Sequence, residues 1–140
     1  KIIHAPYGFL EFQPLIPRDQ IKKFLPELFD LCKNYKTEST LCGLKLHRKD
    51  EFTISYSDDA FSIGIDVPLK NRKIKEIKEF ANKLFTLTSK FNGKIYLAKD
   101  EMLDRKNFKV MYKNYKLFYE LKQKYDPLNL FSSDLYRRIF

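Results

Sequence analysis

The run Gly93-Lys94-Ile95-Tyr96-Leu97-Ala98-Lys99-Asp100 is a short apolar segment entered from a glycine turn and left through a Lys-Asp pair. Alternation with a period of two predicts a strand with Ile95 and Leu97 on one face and Tyr96 and Ala98 on the other. Lys99 then falls where strand gives way to loop, the usual station of functional side chains. A solvated lysine closing an edge strand would fit the same position. The expected partner of this run is the C-terminal segment from Asp126 to Arg138.

Upstream, Asn71-Arg72 opens a helix to about Phe91. Its apolar stripe is Ile74, Ile77, Phe80, Ala81, Leu84, Phe85 and Leu87. Asn92-Gly93 ends it, with the glycine suited to the left-handed cap. Before it, Phe52/Ile54/Tyr56, a Ser57-Asp58-Asp59 turn and Phe61/Ile63/Ile65/Val67 predict a hairpin. Thr40 to Lys49 reads as a further strand, with Cys42, Leu44 and Leu46 on one side and Gly43, Lys45 and His47 on the other. Tyr7 to Ile16 reads as the first strand. Asp19 can then cap a helix to about Asn34, with Ile21, Phe24, Leu25, Leu28, Phe29 and Cys32 inward. Pro26 predicts a kink or a late start in that helix.

Downstream, Asn107 can cap a helical region through Lys124, with Phe108, Met111, Tyr112, Tyr115, Phe118, Leu121 and Tyr125 inward, and Asp126-Pro127 stops it. Taken together, the order predicts an α+β fold: an antiparallel sheet with helices packed on one face, plus a C-terminal helical segment, with 1–140 as a single domain. The uncovered face would carry Gln13, Lys45, His47, Ser62, Gly64 and Asp66. Three small or polar residues in a row on one side of the hairpin strand (Ser62, Gly64, Asp66) argue that no helix packs there, which leaves both water and a ligand open.

Composition narrows the function. Twenty-two aromatic residues (Phe 13, Tyr 9) and a hydrophobic share of 44 % argue for a packed core. Nothing approaches the roughly eighteen uninterrupted apolar residues of a membrane-spanning helix. The net charge of +9 permits anionic partners. Lysines alternate with acids, as in Lys73-Ile74-Lys75-Glu76-Ile77-Lys78-Glu79, so the charge reads as a solvated helix face and no nucleic-acid partner is expected. Cys32 and Cys42 lack the spacing of a disulfide framework or zinc site, and Cys32 falls on a core stripe. A reducing, cytoplasmic setting is the default. His4 and His47, without clustered carboxylates, do not suggest a metal.

Three spaced motifs carry a resemblance. They are Gly93-x-x-Tyr96-x-Ala98-Lys99-Asp100, then Phe108-x-x-Met111-Tyr112, then Asp126-Pro127-x-x-x-Phe131-x-Ser133-Asp134-x-x-Arg137-Arg138. This series resembles the C-terminal end of FAD-linked sugar oxidases of the vanillyl-alcohol-oxidase superfamily. The nearer relatives are aldonolactone oxidases of the D-arabinono-1,4-lactone oxidase type and the decaprenylphosphoryl-ribose oxidases. Lys113 departs from the pattern, since relatives usually carry proline there.

The resemblance implies an FAD-dependent oxidoreductase acting on CH-OH groups, with hydride passing from a sugar, alditol or aldonolactone carbinol to flavin. In such enzymes this domain is the substrate-binding cap, and FAD is held mainly by a separate N-terminal lobe. It implies substrate contacts for Gln13, Lys45 and Gly64, the last at a position that is cysteine in some relatives. Tyr96 and Lys99 would lie beside the flavin, and Lys99 and Lys45 would be the catalytic cations. The chain shows no glycine-rich phosphate loop, so it is expected to be the C-terminal part of a larger oxidase, partnered by its own FAD lobe and by a sugar or lipid-linked sugar. Peripheral contact with a membrane is compatible with this. The competing expectation is a stand-alone α+β binding or regulatory module that uses its open sheet face.

Overall fold

The computed structural model describes residues 6–37 and 42–140. Six short strands and five helices follow one another as β1 (Phe9–Phe12), β2 (Pro14–Pro17), α1 (Ile21–Asn34), β3 (Leu44–His47), β4 (Ala60–Ile63), β5 (Ile65–Pro68), α2 (Ile74–Lys90), β6 (Lys94–Ile95), α3 (Arg105–Met111), α4 (Tyr115–Tyr125) and α5 (Asp134–Ile139). All pairings are antiparallel: β1 with β5, and a four-stranded sheet in the order β3-β4-β2-β6. The fold is thus α+β, with a helical C-terminal segment.

The two sheets share one ladder. Phe9 faces Pro68 and Phe12 faces Ile65, and the same register continues to Leu15 opposite Ser62 and Pro17 opposite Ala60. The interruption falls at Gln13-Pro14 and Gly64, because Pro14 has no N–H to give. The carbonyl of Gln13 turns to other donors, accepting from the Tyr96 N–H at 3.0 Å and the Tyr56 hydroxyl at 3.1 Å.

One face of this ladder is the core. Phe12, Ile16, Ile63, Ile65 and Val67 pack with Phe24 and Leu28 of α1 and with Ile77, Phe80, Ala81, Leu84 and Phe85 of α2. The Phe12 ring meets Phe80 and Phe85 edge-on, with centroids 5.7 and 6.3 Å away. Burying side chains of this size stabilises the fold by about 1.5–3 kcal/mol each. That explains why α1 runs without a break through Pro26, which costs a helix interior about 3 kcal/mol.

Several expectations change. Asp19 does not cap α1: Gln20 is the boundary residue, and Asp19 accepts only from its side chain. Phe29 and Ile74 are exposed, at the edges of their stripes. Residues 51–58 form a loop and not a strand, and β3 takes their place beside β4. Thr40 and Leu41, expected to begin that strand, lie outside the described residues, as does His4. The strand at Gly93–Asp100 is only Lys94–Ile95, and Leu97–Lys99 winds into a 3₁₀ turn. The left-handed residue is Asn92 (φ 56). Gly93 serves a different need: a Cβ there would lie 2.5 Å from the Leu15 carbonyl oxygen and 2.8 Å from Cγ2 of Thr88.

The C-terminal helices differ too. Asp104 caps α3 by accepting from the Asn107 N–H at 2.7 Å. The expected cap, Asn107, sits one turn too late for the role. The helical region breaks at 112–114 even with Lys113 in place of proline. There Tyr112 is drawn inward and its hydroxyl donates to the Ile95 carbonyl at 2.7 Å. Leu121 and Tyr125 are exposed, since α4 buries no residue fully.

Candidate functional site

The face opposite α1 and α2 gathers polar side chains from four stretches of chain. Alternation in β1 and across the break places Glu11 and Gln13 there, β3 contributes Lys45 and His47, and β4 contributes Ser62, with Gly64 just after it. The chain leaving β6 adds Tyr96, and the 3₁₀ turn adds Lys99. The register fixes their neighbours: Ser62 lies opposite both Leu15 and Lys45, and Glu11 lies opposite Asp66.

Loop 48–59 folds over part of this face. Its Tyr56 ring stacks at a tilt on Tyr96, with centroids 4.6 Å apart, and meets the His47 ring edge-on at 5.5 Å. Beneath it, Gln13 Nε2 donates to Ser62 Oγ at 3.1 Å, and Ser62 Oγ lies 2.7 Å from His47 Nε2. Gln13 and Ser62 are buried, at 5 % and 0 % exposure, while His47 at the other end of the network is half-buried. At the rim, Lys99 Nζ meets Glu11 Oε1 at 2.5 Å.

Electrostatics follow from that burial. Loss of water pushes the Tyr56 phenol up, against the hydrogen bonds to Ser62 and Gln13 that pull it down. Burial, and then the nearby Lys45 charge, hold His47 below its ordinary value, so its ring is neutral near pH 7.

Two clefts open on this face. One, of about 570 Å³, is lined by Gln13, Lys45, His47, Tyr56, Tyr96 and Lys99 among others. The second, of about 430 Å³, shares Gln13, Lys45 and Lys99 with the first and adds Glu11, Gly64 and Asp66. A third cleft, of about 410 Å³, lies behind loop 48–59 near the end of α3 and holds none of those shared residues. The five residues singled out from the sequence therefore converge: Gln13, Lys45, Tyr96 and Lys99 line the first cleft, and Gly64 lines the second. Glu11 and Tyr56 were missed as site residues. Glu11 shares a strand face with Gln13 two residues away, a signal the period-two pattern already contained. Tyr56 gave no such signal, because its segment reads as a strand. Among the described residues, no three His, Cys, Asp or Glu side chains cluster as metal ligands.

An antiparallel sheet with helices on one face and a lysine-bearing, aromatic-walled cleft on the other defines an α+β module whose second sheet face is free of helices among the described residues. The sequence matches the family described as D-arabinono-1,4-lactone oxidase (ALO) over residues 5–139, and the chain belongs to that family. It is also similar to the decaprenylphosphoryl-beta-D-ribose oxidase of Mycolicibacterium smegmatis (strain ATCC 700084 / mc(2)155), with 26 % identity over 133 residues. That alignment takes in 94 % of this chain and 28 % of the relative, so the chain spans little more than a quarter of the relative's length. No helix among the described residues is long and apolar enough to cross a membrane.

Proposed function

We propose that residues 1–140 are the substrate-binding cap of an FAD-dependent sugar oxidase, acting on a CH-OH group of a sugar, alditol or aldonolactone, with FAD held mainly by a lobe N-terminal to it. The observation that carries this is the convergence of Gln13, Lys45, Tyr96 and Lys99 on one cleft of an oxidase-family chain. These four come from three segments far apart in sequence, and the rim offers cations and an aromatic wall. A sugar needs hydrogen-bonding groups of fixed orientation, and Gln13 is held in that way by Ser62.

The rim also fits the edge of a flavin ring, with Tyr96 giving a phenol and an aromatic face and Lys99 an ammonium. Bound FAD would supply the hydride acceptor. The chain's own residues have distinct tasks in this scheme. Gln13 and Lys45 orient substrate hydroxyls. Lys99 holds positive charge where negative charge develops, and in a dry site such a group is worth several kcal/mol. Glu11 fixes the lysine's position. Gly64 leaves Glu11 the room to do so, since a Cβ there would come within 3.2 Å of Glu11 Oε1.

The test uses the full-length protein. Anaerobic mixing with D-arabinono-1,4-lactone should bleach the visible flavin band, and Gln13→Ala and Lys45→Ala should each slow bleaching at limiting substrate. A full-length protein that purifies without flavin and fails to take it up would refute the proposal.

A further inference from the structure

We propose that His47 is a positioning residue that decides, through Ser62, which end of the Gln13 side-chain amide faces the cleft. This rests on the reading of Gln13 as a substrate contact.

The argument is one of proton counting. Ser62 Oγ accepts from Gln13 Nε2 at 3.1 Å and sits 2.7 Å from His47 Nε2. A hydroxyl has a single proton. That proton has two acceptors within reach, the Tyr56 oxygen and His47 Nε2; given to His47 Nε2, 2.7 Å away, it makes the imidazole neutral with its hydrogen on Nδ1. The Gln13 amide then has its donor end committed inward and its acceptor, Oε1, available for a substrate hydroxyl.

Protonating His47 reverses the chain. The Nε2–H now donates to Ser62 Oγ, and the serine proton needs a new acceptor. Gln13 supplies one if its amide turns over, which alters the shape of the buried side chain hardly at all, in competition with the Tyr56 oxygen, whose own proton goes to the Gln13 backbone carbonyl. Nε2 then faces the cleft, and a pocket that received a hydroxyl hydrogen offers a donor instead. Ser62 does not act as a nucleophile in this arrangement, because it is 0 % exposed and no substrate can reach its oxygen.

The groups facing His47 set where this happens. Lys45 lies on its own strand, and Asp50 and Tyr56 come from the loop above. Tyr96 and Lys99 come from the far wall, with Glu11 paired to Lys99. Burial and Lys45 favour the neutral ring, so the acceptor-out state holds at neutral pH and the switch falls below the ordinary histidine value.

The experiment uses full-length holoprotein labelled with ¹⁵N at histidine and glutamine. At neutral pH, His47 should show a protonated Nδ1 and a bare Nε2. On acidification, the Gln13 side-chain NH₂ resonances should titrate in step with the ring, and Ser62→Ala should uncouple the two. A protonated Nε2 at neutral pH, or Gln13 resonances indifferent to the ring's titration, would overturn the proposal whether or not any substrate reacts. Kinetics with D-arabinono-1,4-lactone give a second arm. As pH falls through the His47 midpoint, KM should rise roughly two- to tenfold, the value of one hydrogen bond, with kcat nearly constant. His47→Gln should flatten that rise while its melting temperature stays near that of the parent. An unchanged KM profile in His47→Gln would remove the positioning role. Failure of the lactone to bleach the flavin counts against the proposed function alone, and the resonance data still decide on His47.

Discussion

Arg138 donates through Nη2 to both the carboxylate and the backbone carbonyl of Asp100, each at 2.9 Å, joining the C-terminal helix to the end of the 3₁₀ turn. The Asp100 side chain is wholly buried, and its carboxylate also accepts from the N–H groups of Met102 and Leu103. Burial pushes its carboxyl up, while these donors and Arg138 pull it down. The pair connects the first and third of the three stretches that carry the resemblance, and through the turn it fixes where Lys99 starts.

Arg138→Ala should therefore destabilise the fold by about 2 kcal/mol, since a buried charged acceptor loses a partner. Arg138→Lys, with a shorter reach and no planar guanidinium, should recover only part of this. Urea denaturation measures both, and a loss under about 0.5 kcal/mol for the alanine variant would mean that water replaces the guanidinium.

Gly93 and Asn92 separate space from backbone angle. Gly93→Ala places a methyl 2.5 Å from a carbonyl oxygen of β2, which cannot retreat without breaking the β2–β6 pairing. Overpacking of this kind should cost about 1–3 kcal/mol, with the value here towards the top of that range. Asn92→Gly changes an already left-handed residue and should stay within about 0.5 kcal/mol, whereas Asn92→Ala should cost about 1–2 kcal/mol. Equal melting temperatures for Gly93→Ala and the parent would show that the strand can shift.

That pair also illustrates what a sequence reveals. Asn92-Gly93 announces a helix end, but whether glycine is there for its angle or for its lack of a side chain depends on β2, which is far away in the chain. The helix stripes were legible because the period of 3.6 is local: Phe24, Leu28, Phe80 and Leu84 are buried as expected. The face turned away from the helices was legible from the period of two, in Gln13, Ser62 and Gly64, but its cover by loop 48–59 was not: Gln13 and Ser62, expected on an uncovered face, are buried. The strand at Phe52–Tyr56 failed because alternation describes a loop laid on a sheet as well as a strand within one. Leu121 and Tyr125 failed because an apolar stripe does not say whether anything lies opposite it.

Asp126 organises the loop after α4. Lys122 pairs with it, and its carboxylate accepts from the N–H groups of Leu130 and Phe131 at 2.8 and 3.0 Å. The Lys122 hydrogen bond is the main reason the carboxyl lies below its ordinary value. With a depressed native value, the unfolded chain takes up the proton first as pH falls. The stabilisation is therefore complete above the unfolded value of about 3.9 and is lost as pH drops through the native one. The Leu130 and Phe131 amide resonances should move in that acid window, and Asp126→Asn should abolish the step. Movement centred above pH 4 would contradict the ion pair.

Lys99 is where the proposed role in the reaction and the structural role diverge most. Its ammonium meets Glu11 at the rim, with side-chain exposures of 35 % and 24 %. A pair this accessible contributes at most about 1 kcal/mol to stability, so Lys99→Ala and Glu11→Gln should melt close to the parent. The effect on the reaction should be far larger. If the lysine supplies charge beside the flavin edge, its loss should remove about 2–4 kcal/mol of transition-state stabilisation, the range for deleting one electrostatic donor. That is a fall of roughly thirty- to a thousandfold in the rate of flavin reduction. Glu11→Gln keeps the cation but loosens its anchor, so its fall should be smaller and should shrink further in the presence of Gly64→Ala, which already crowds the carboxylate. Single-turnover bleaching of the full-length protein measures all three variants. A bleaching rate for Lys99→Ala within about twofold of the parent, where surface substitutions usually lie, would leave Lys99 a rim lysine whose only partner of consequence is Glu11.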